Sequence, residues 1–175
     1  EAIIKMSAER GYVMLTAFLE SAERVRAKGD QYEQFAGAAG IAGARKNILA
    51  SRCVYVADSY EEALEDLRPA VAYETSIQAE RGFLKVIKKL LNLDVPNDER
   101  AIDVLAGAGL YLLGEPDRIA GQIRDLYEAS GGFGTFLIVS GKDWASSEKR
   151  ARSMTRFMEE VAPQLRHLEP EDAAG

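Results

Sequence analysis

Two continuous apolar runs, rich in β-branched and aromatic residues, most constrain how this chain folds. They are NILASRCVYVAD (Asn47–Asp58) and FGTFLIV (Phe133–Val139), and each lies between segments with helical patterns. A shorter run, YVML (Tyr12–Leu15), follows the glycine that ends a first helix. Continuous apolar strands separated by helices are typical of a parallel sheet that is covered on both faces or closed into a barrel. The pattern therefore predicts an α/β fold with about three parallel strands.

The segments between these runs are mostly helical. Residues 20–40 are charged and alanine-rich, with a break expected at Gly29, and the pattern from Ser59 to about Leu91 is helical with an interruption expected at Pro69. A last helix is predicted over residues 146–165. Three parallel strands with helices all round cannot close a barrel and would leave two unpaired edges. The pattern is therefore that of part of a larger fold, and we expect a complete barrel to need further strands.

Composition restricts the classes of function. The chain has 175 residues, of which 47% are hydrophobic, and a formal net charge of −6, so one domain with a sizeable core is expected and no basic stripe favours nucleic acid. The single cysteine, Cys53, and the single histidine, His167, argue against a disulfide framework, a metal site and a Ser-His-Asp triad. The longest apolar run is too short to cross a bilayer and no signal peptide is evident, so a cytoplasmic protein is expected.

The run that ends at Val139 leads into SGKDWA, which presents Lys142, Asp143 and Trp144 together. This is the only tryptophan of the chain. In parallel barrels the catalytic groups lie at the carboxyl ends of the strands and in the loops that follow them. These three residues are therefore candidates for a functional site.

Four segments in order resemble the bacterial-luciferase-like family of flavin-dependent monooxygenases. ILASRCVYVADSYEEAL resembles a strand-plus-helix element of that family, and YLLGEPDRIAGQIRDLYEASGGFGTFLIV is similar to its penultimate segment. SGKDWASSEKRARSMTRFMEEVAPQL resembles its ending, and KMSAERGYVML its short helix and strand six. The resemblance covers essentially the whole chain.

This resemblance implies an eight-stranded (β/α) barrel of the TIM type, with a long helical insertion. Tyr12–Leu15, Leu49–Ala57 and Phe133–Val139 would be strands six, seven and eight. Residues 1–168 would form the C-terminal part of one barrel domain, with the insertion at about 59–110, because a complete barrel needs roughly 250 residues. The absence of an initiator methionine at the start agrees with a C-terminal half that needs the N-terminal half of the same barrel. Residues 169–175 are expected to be a disordered tail.

The resemblance also implies a function: oxygenation of a small organic substrate by reduced FMN and O₂, with the flavin supplied by a partner reductase and the enzyme forming a homodimer. The residues that would contact the cofactor are Thr16, Phe18 and Trp144; those that would line the substrate pocket are Ser51, Cys53, Lys142 and Asp143. The flavin phosphate would be held by residues that precede Glu1. Ser51 and Cys53 stand where sulfonate-using members have Arg or His, which favours a less charged substrate.

Other interpretations of the same residues stay open. Trp144 could pack its loop onto the final helix, Phe18 could be a core contact, and Cys53 could be a small buried residue without reactivity. Arg52 is expected on the helix-facing side of its strand, with a structural partner. The barrel could use a deazaflavin for hydride transfer instead of FMN. The chain could also be a non-enzymatic α/β module whose acidic helices bind a protein.

Overall fold

The computed structural model describes residues 1–168, so the predicted tail at 169–175 lies outside the described residues. The helices are α1 (Ala2–Glu9), α2 (Ala22–Ala38), α3 (Tyr60–Glu80), α4 (Phe83–Leu91), α5 (Ala101–Gly107), α6 (Pro116–Ser130), α7 (Ser147–Arg156) and α8 (Ala162–Leu165). A 3₁₀ turn covers Ala44–Asn47, and a π-helical turn, Phe157–Val161, joins α7 to α8. The strands are β1 (Met14–Leu15), β2 (Ile48–Val56), β3 (Tyr111–Gly114) and β4 (Thr135–Val139).

All the strand pairings are parallel, and β2 is the central strand. Leu49 pairs with both Leu15 of β1 and Thr135 of β4, so these two strands lie on opposite edges of β2. Cys53 pairs with Val139 of β4 and with Tyr111, so β3 lies on the same edge as β1, further toward the carboxyl end of β2. Because every pairing is parallel, the carboxyl ends of the four strands point in the same direction, although β1 ends at the level of Leu49 and β3 at the level of Val56.

The structure corrects the predicted strands in two places. It has a fourth strand, β3, where the sequence predicted none, because a four-residue apolar run between two helices carries no periodicity that distinguishes strand from helix. The first strand is shorter than Tyr12–Leu15, and the side chains of Tyr12 and Val13 are exposed. The α/β class itself is as predicted.

Neither predicted helix break occurs. Helix α2 continues through Gly29, where an added β-carbon would meet the guanidinium of Arg45 at 2.2 Å, so this glycine allows close packing. Helix α3 continues through Pro69, which is exposed, while Leu67 and Val71 on either side of it are buried. Burial of the surrounding apolar residues outweighs the missing backbone hydrogen bond at the proline.

The two faces of β2 belong to different cores. Ala50, Val54 and Val56 pack with α2, α6 and the π-helical turn, whereas Cys53 and Tyr55 pack with α3, α5 and the loop after β4. This alternation confirms that Arg52, Val54 and Val56 point away from Cys53 and Tyr55, as the two-residue period of a strand requires. We call the face of β2 that carries Arg52, Val54 and Val56 the helix face, and the face that carries Cys53 and Tyr55 the loop face.

The loop face is covered only in its carboxyl-terminal half. Toward the amino-terminal ends of the strands, Leu15 and Leu137 are 61% and 42% exposed, and Thr135, which pairs with Leu49 on the edge opposite Leu15, is also exposed. Within residues 1–168, no strand pairs with the outer edge of β1 or of β4. The helices of this part of the chain include none that is long and apolar enough to span a membrane.

Candidate functional site

The covered part of the loop face contains a cluster of four side chains, which we call the tryptophan cluster: Cys53, Glu74, Tyr111 and Trp144. The register of β2 with β3 places Cys53 opposite Tyr111. The ring of Tyr111 lies 5.5 Å from the ring of Trp144, with 38° between their planes. Trp144 is only 1% exposed, and its indole Nε1 has no hydrogen-bond partner in the part of the chain that the structure describes. The cluster lies at the carboxyl end of the sheet.

The loop that carries Trp144 is held in place by backbone contacts. Its indole lies against Gly141, and its own N–H donates to the Gly141 carbonyl at 3.3 Å. From α7, Nη1 of Arg150 donates to the carbonyls of Trp144 and Ala145 at 2.9 and 3.0 Å. Ala145 has a φ of +47°, a conformation that is costly for a residue with a β-carbon. The contacts with Gly141 and Arg150 therefore hold Ala145 in this unfavourable conformation, in which Trp144 is buried.

Burial sets the protonation of this cluster. It raises the pKa of the Cys53 thiol to about 12, and the nearby Tyr111 hydroxyl only partly opposes this rise. Burial likewise raises the pKa of Tyr111 and of Glu74, and for Glu74 the nearby Trp144 indole acts in the opposite direction. At neutral pH the thiol and the phenol are therefore uncharged. The cluster therefore consists of buried apolar groups and hydrogen-bond donors, and it contains no thiolate nucleophile.

The other predicted site residues fall into separate groups. Thr16 and Ser51 are buried and bonded to backbone: Thr16 Oγ1 donates to the Leu49 carbonyl at 3.3 Å, and Ser51 Oγ donates to the Thr16 carbonyl at 2.6 Å. These bonds attach the end of β1 to β2. Phe18 lies beyond the end of β1, and the residue is 37% exposed.

Lys142 and Asp143 pair with each other at the surface, with 2.6 Å between Nζ and Oδ2. Both side chains are exposed, so neither lies inside the tryptophan cluster. The structure thus brings Cys53 and Trp144 together in one cluster, places Lys142 and Asp143 on its rim, and leaves Phe18 apart.

Sequence reasoning missed three residues at this edge. Tyr111 was missed because β3 was not recognised, and Glu74 because it lies in a charged helix where nothing in the pattern separates it from its solvated neighbours. The third is Glu20, which follows β1 and is 5% exposed. Its Oε1 accepts from Lys28, while Oε2 has no hydrogen-bond partner among residues 1–168. An isolated glutamate directly after an apolar run was the available signal.

A flavin mononucleotide would need a flat apolar surface for its ring and cationic or N–H donors for its phosphate. Phe18 offers an exposed ring at the end of β1. Trp144 offers no such surface, because it is buried against Tyr111. The cations near the strand ends already have acidic or aromatic partners: Lys142, Lys149, Arg118, Arg152 and Arg156. The described residues fit an edge of the flavin ring and do not fit its phosphate.

Comparison with known proteins gives one family. The family model for luciferase-like monooxygenases matches residues 1–132. Among characterised proteins, limonene 1,2-monooxygenase of Rhodococcus erythropolis is 33% identical over 118 residues, a match that covers 65% of this chain and 27% of that protein. The sequence thus resembles a protein that is considerably longer than this chain.

Solved structures share the fold at lower sequence identity. The oxygenating constituent of 3,6-diketocamphane monooxygenase from Pseudomonas putida, a type II Baeyer-Villiger monooxygenase in complex with FMN, aligns with a TM-score of 0.72 and 23% identity, covering 92% of this chain and 45% of that one. The coenzyme F420-dependent tetrahydromethanopterin reductase of Methanopyrus kandleri aligns with a TM-score of 0.58 and 16% identity, covering 96% and 48%. The chain spans less than half the length of these structures.

Proposed function

The chain belongs to the luciferase-like monooxygenase family, and from this membership we propose that it forms the carboxyl-terminal part of a (β/α) barrel that oxygenates a small, uncharged organic molecule with reduced FMN and O₂. The observation that carries the proposal is the half-open loop face, with the tryptophan cluster at its carboxyl end. In a parallel barrel that end is where substrates bind.

The open face and edges support the barrel. Leu15, Leu137 and Thr135 are exposed on the side of the sheet that would face the barrel interior, and the outer edges of β1 and β4 are unpaired within the described residues. Exposed apolar sheet surface and free strand edges are both unfavourable in an isolated domain. Further parallel strands, from an N-terminal half of the same barrel, would cover the face and pair with both edges.

The chain's own residues would form one wall of the pocket. Trp144, Tyr111 and Cys53 would exclude water, and Thr16 and Ser51 would fix the end of β1, beyond which Phe18 offers its ring. Reduced FMN, delivered by a separate reductase, would supply the electrons for the reaction with O₂. Its phosphate would be held by strands outside this chain. We also expect the complete barrel to form a homodimer.

The character of this wall supports an uncharged substrate. No cation points into the tryptophan cluster in the part of the chain that the structure describes, since Lys142 is exposed and paired with Asp143. The thiol and phenol of the cluster are uncharged at neutral pH because burial raises both pKa values. The relatives named for limonene and diketocamphane act on molecules of this kind. FMN is preferred to F420 because the FMN-containing structure aligns better.

The test is assembly with a barrel-completing fragment. The chain would be co-expressed with the part of the limonene monooxygenase that its match does not cover, and the purified material supplied with enzymatically reduced FMN, limonene and ¹⁸O₂. We expect a stable complex, FMN binding, and ¹⁸O in the product. Reduced F420 in place of FMN tests the alternative cofactor.

The chain alone provides the opposing outcome. We expect it to bind a dye for exposed apolar surface and to self-associate, and we expect Leu137→Lys to reduce both without lowering the melting temperature. A dye-negative monomer that melts cooperatively and does not join the fragment would contradict the barrel. If the complex assembles but no ¹⁸O is incorporated with either cofactor, the proposed barrel is supported and the proposed oxygenation is contradicted.

A further inference from the structure

Arg52 is the only charged residue of β2, and it is almost completely buried on the helix face. Its Nε donates to the Gly109 carbonyl at 3.1 Å and its Nη1 to the Ser51 carbonyl at 2.8 Å. A guanidinium has five N–H donors, so these two bonds leave three donors, including both on Nη2, without a hydrogen-bond partner in residues 1–168. The expected structural partner is therefore backbone, and no carboxylate in the described chain lies within ion-pair distance.

A buried cation without a contacting anion is costly. Burial lowers the pKa of Arg52, and Glu20 is the one carboxylate whose charge acts to raise it. Glu20, however, contacts Lys28 and makes no ion pair with Arg52. The charge of Arg52 is therefore only partly compensated by the protein.

Arg52 opens into a cavity of about 290 Å³ between α2, α6 and the start of β3. Its walls are otherwise formed by small and apolar residues, with two polar ones on α6: Ala22, Ala108, Gly109, Leu112, Gln122, Asp125, Leu126 and Ala129. Oε1 of Gln122 is buried and has no hydrogen-bond partner among the described residues. A buried guanidinium and an unsatisfied buried amide thus converge on one space.

We propose that this cavity is a binding site for a small organic carboxylate that also carries a hydroxyl or amino group. The carboxylate would accept hydrogen bonds from the free donors of Arg52, which suit planar oxygen pairs. The hydroxyl or amino group would donate to Gln122 Oε1, and the exposed Asp125 at the same wall favours a donor on that side and disfavours a second anionic group. The volume is at the low end of that for ligand pockets, roughly 300–1,000 Å³.

The site is separate from the tryptophan cluster. Arg52 pairs in the register with Ile138 and faces the helices, whereas the next residue, Cys53, pairs with Tyr111 and faces the cluster. The sheet therefore lies between the two. A ligand at Arg52 is not the substrate of the proposed oxygenation, and its binding does not depend on that proposal.

The test is thermal unfolding of the whole chain at constant ionic strength with L-lactate, 3-hydroxybutyrate or L-serine, each from 0.1 to about 20 mM, with lactamide as the uncharged match to lactate. A ligand that binds only the folded state stabilises it by mass action, so the melting temperature should keep rising with the logarithm of ligand concentration above Kd. We expect a rise of about 3 °C at the highest concentration with at least one carboxylate and none with lactamide. Equal shifts with lactate and lactamide, or no concentration-dependent shift with any carboxylate, would overturn the proposal.

Variants locate the binding. Arg52→Met should abolish the shift, Gln122→Leu should weaken the affinity about tenfold, and Ala129→Leu, which narrows the cavity from an exposed helix position, should weaken it without touching Arg52. Gly121→Ala, on the same helix but outside the cavity walls, should leave it unchanged. If Arg52→Met fails to fold, the Gln122 and Ala129 variants decide the question. If neither variant lowers the affinity, the ligand binds elsewhere and the proposed site is wrong.

Discussion

The indole of Trp144 lies so close to Gly141 that a β-carbon built on this glycine would come within 2.1 Å of Nε1 and 2.4 Å of Cδ1. The backbone at Gly141 is not in the left-handed region, so another residue would suffer only from this contact. Gly141 is thus the surface against which the single tryptophan is packed. The position of Trp144 depends on the absence of one methyl group.

Gly141→Ala should therefore displace Trp144 from the tryptophan cluster. We expect a loss of about 1–3 kcal/mol in the free energy of unfolding, the usual cost of overpacking a core, and a red shift of tryptophan fluorescence as the indole becomes hydrated. Urea unfolding followed by fluorescence and by circular dichroism measures both. Gly121→Ala is the matched control, because its β-carbon would meet nothing closer than 3.9 Å. An unshifted emission spectrum in Gly141→Ala would contradict the packing.

Gly134 makes an equally close approach, to backbone instead of a side chain. A β-carbon there would lie 2.1 Å from the carbonyl oxygen of Lys46, and the Gly134 N–H donates to the Ile48 carbonyl at 3.0 Å, where β4 begins to pair with β2. Because backbone cannot rotate away, we expect Gly134→Ala to cost about 3 kcal/mol or more, the upper end for overpacking.

The control for this substitution is Gly37→Ala in α2. An added β-carbon there meets nothing within 4 Å, and alanine restricts the unfolded chain, so a gain of about 0.4–1 kcal/mol is expected. Denaturant midpoints of the two variants against the parent chain give the comparison. Equal stability of Gly134→Ala and the parent would mean that β4 does not approach the 3₁₀ turn as described.

Some of these relationships follow from sequence and others do not. The opposite orientation of Arg52 and Cys53 was predictable because covalent geometry alone alternates side chains along a strand. The tryptophan cluster was not, since it joins β2, β3, α3 and the loop after β4, and only long-range packing brings Glu74 and Tyr111 to Trp144. The direction of the Thr16 hydroxyl, toward the Leu49 carbonyl, depends on the register of β1 with β2. Periodicity identifies faces, not partners across elements.

Cys53 should make stability fall at alkaline pH. The thiol ionises near pH 9 in the unfolded chain and at about 12 in the folded one, so between these values unfolding releases a proton and a rise in pH favours it. The contribution of Cys53 is complete below pH 9 and is lost as pH rises toward 12. At pH 10 we expect a loss of about 1.4 kcal/mol relative to pH 8 from this group.

Cys53→Ala is the variant that isolates this effect. It should cost stability at every pH because it removes buried volume, and its free energy of unfolding should decline less steeply between pH 8 and 10 than that of the parent. Iodoacetamide gives an independent measurement: alkylation at pH 8 should be negligible in the folded chain and fast in urea. Parallel pH profiles of the free energy of unfolding for the two proteins would contradict the prediction, because they would mean that burial does not raise the pKa of the Cys53 thiol.

Lys149 connects α7 to α3 and to the end of β2 through a shared carboxylate. Its Nζ donates to both oxygens of Asp66, at 2.7 and 2.9 Å, and to Glu62 at 3.2 Å, while the Tyr55 hydroxyl donates to Asp66 at 2.8 Å. The Asp66 side chain is only 15% exposed. Lys149→Met would leave two neighbouring carboxylates without their cation, and we expect it to cost about 1–2 kcal/mol, reduced at high salt.

Lys142→Met provides the comparison, because it also removes a lysine from a short ion pair, but one in which both partners are exposed. Exposed pairs contribute about 0–1 kcal/mol, so we expect little change. The double variant Lys149→Met/Asp66→Asn should lose less than the sum of its single variants, since the isolated charge is removed as well. Additive losses, or equal costs for the two lysine variants, would mean that Asp66 is hydrated in solution. The attachment of α7 to α3 would then rest on apolar contacts alone.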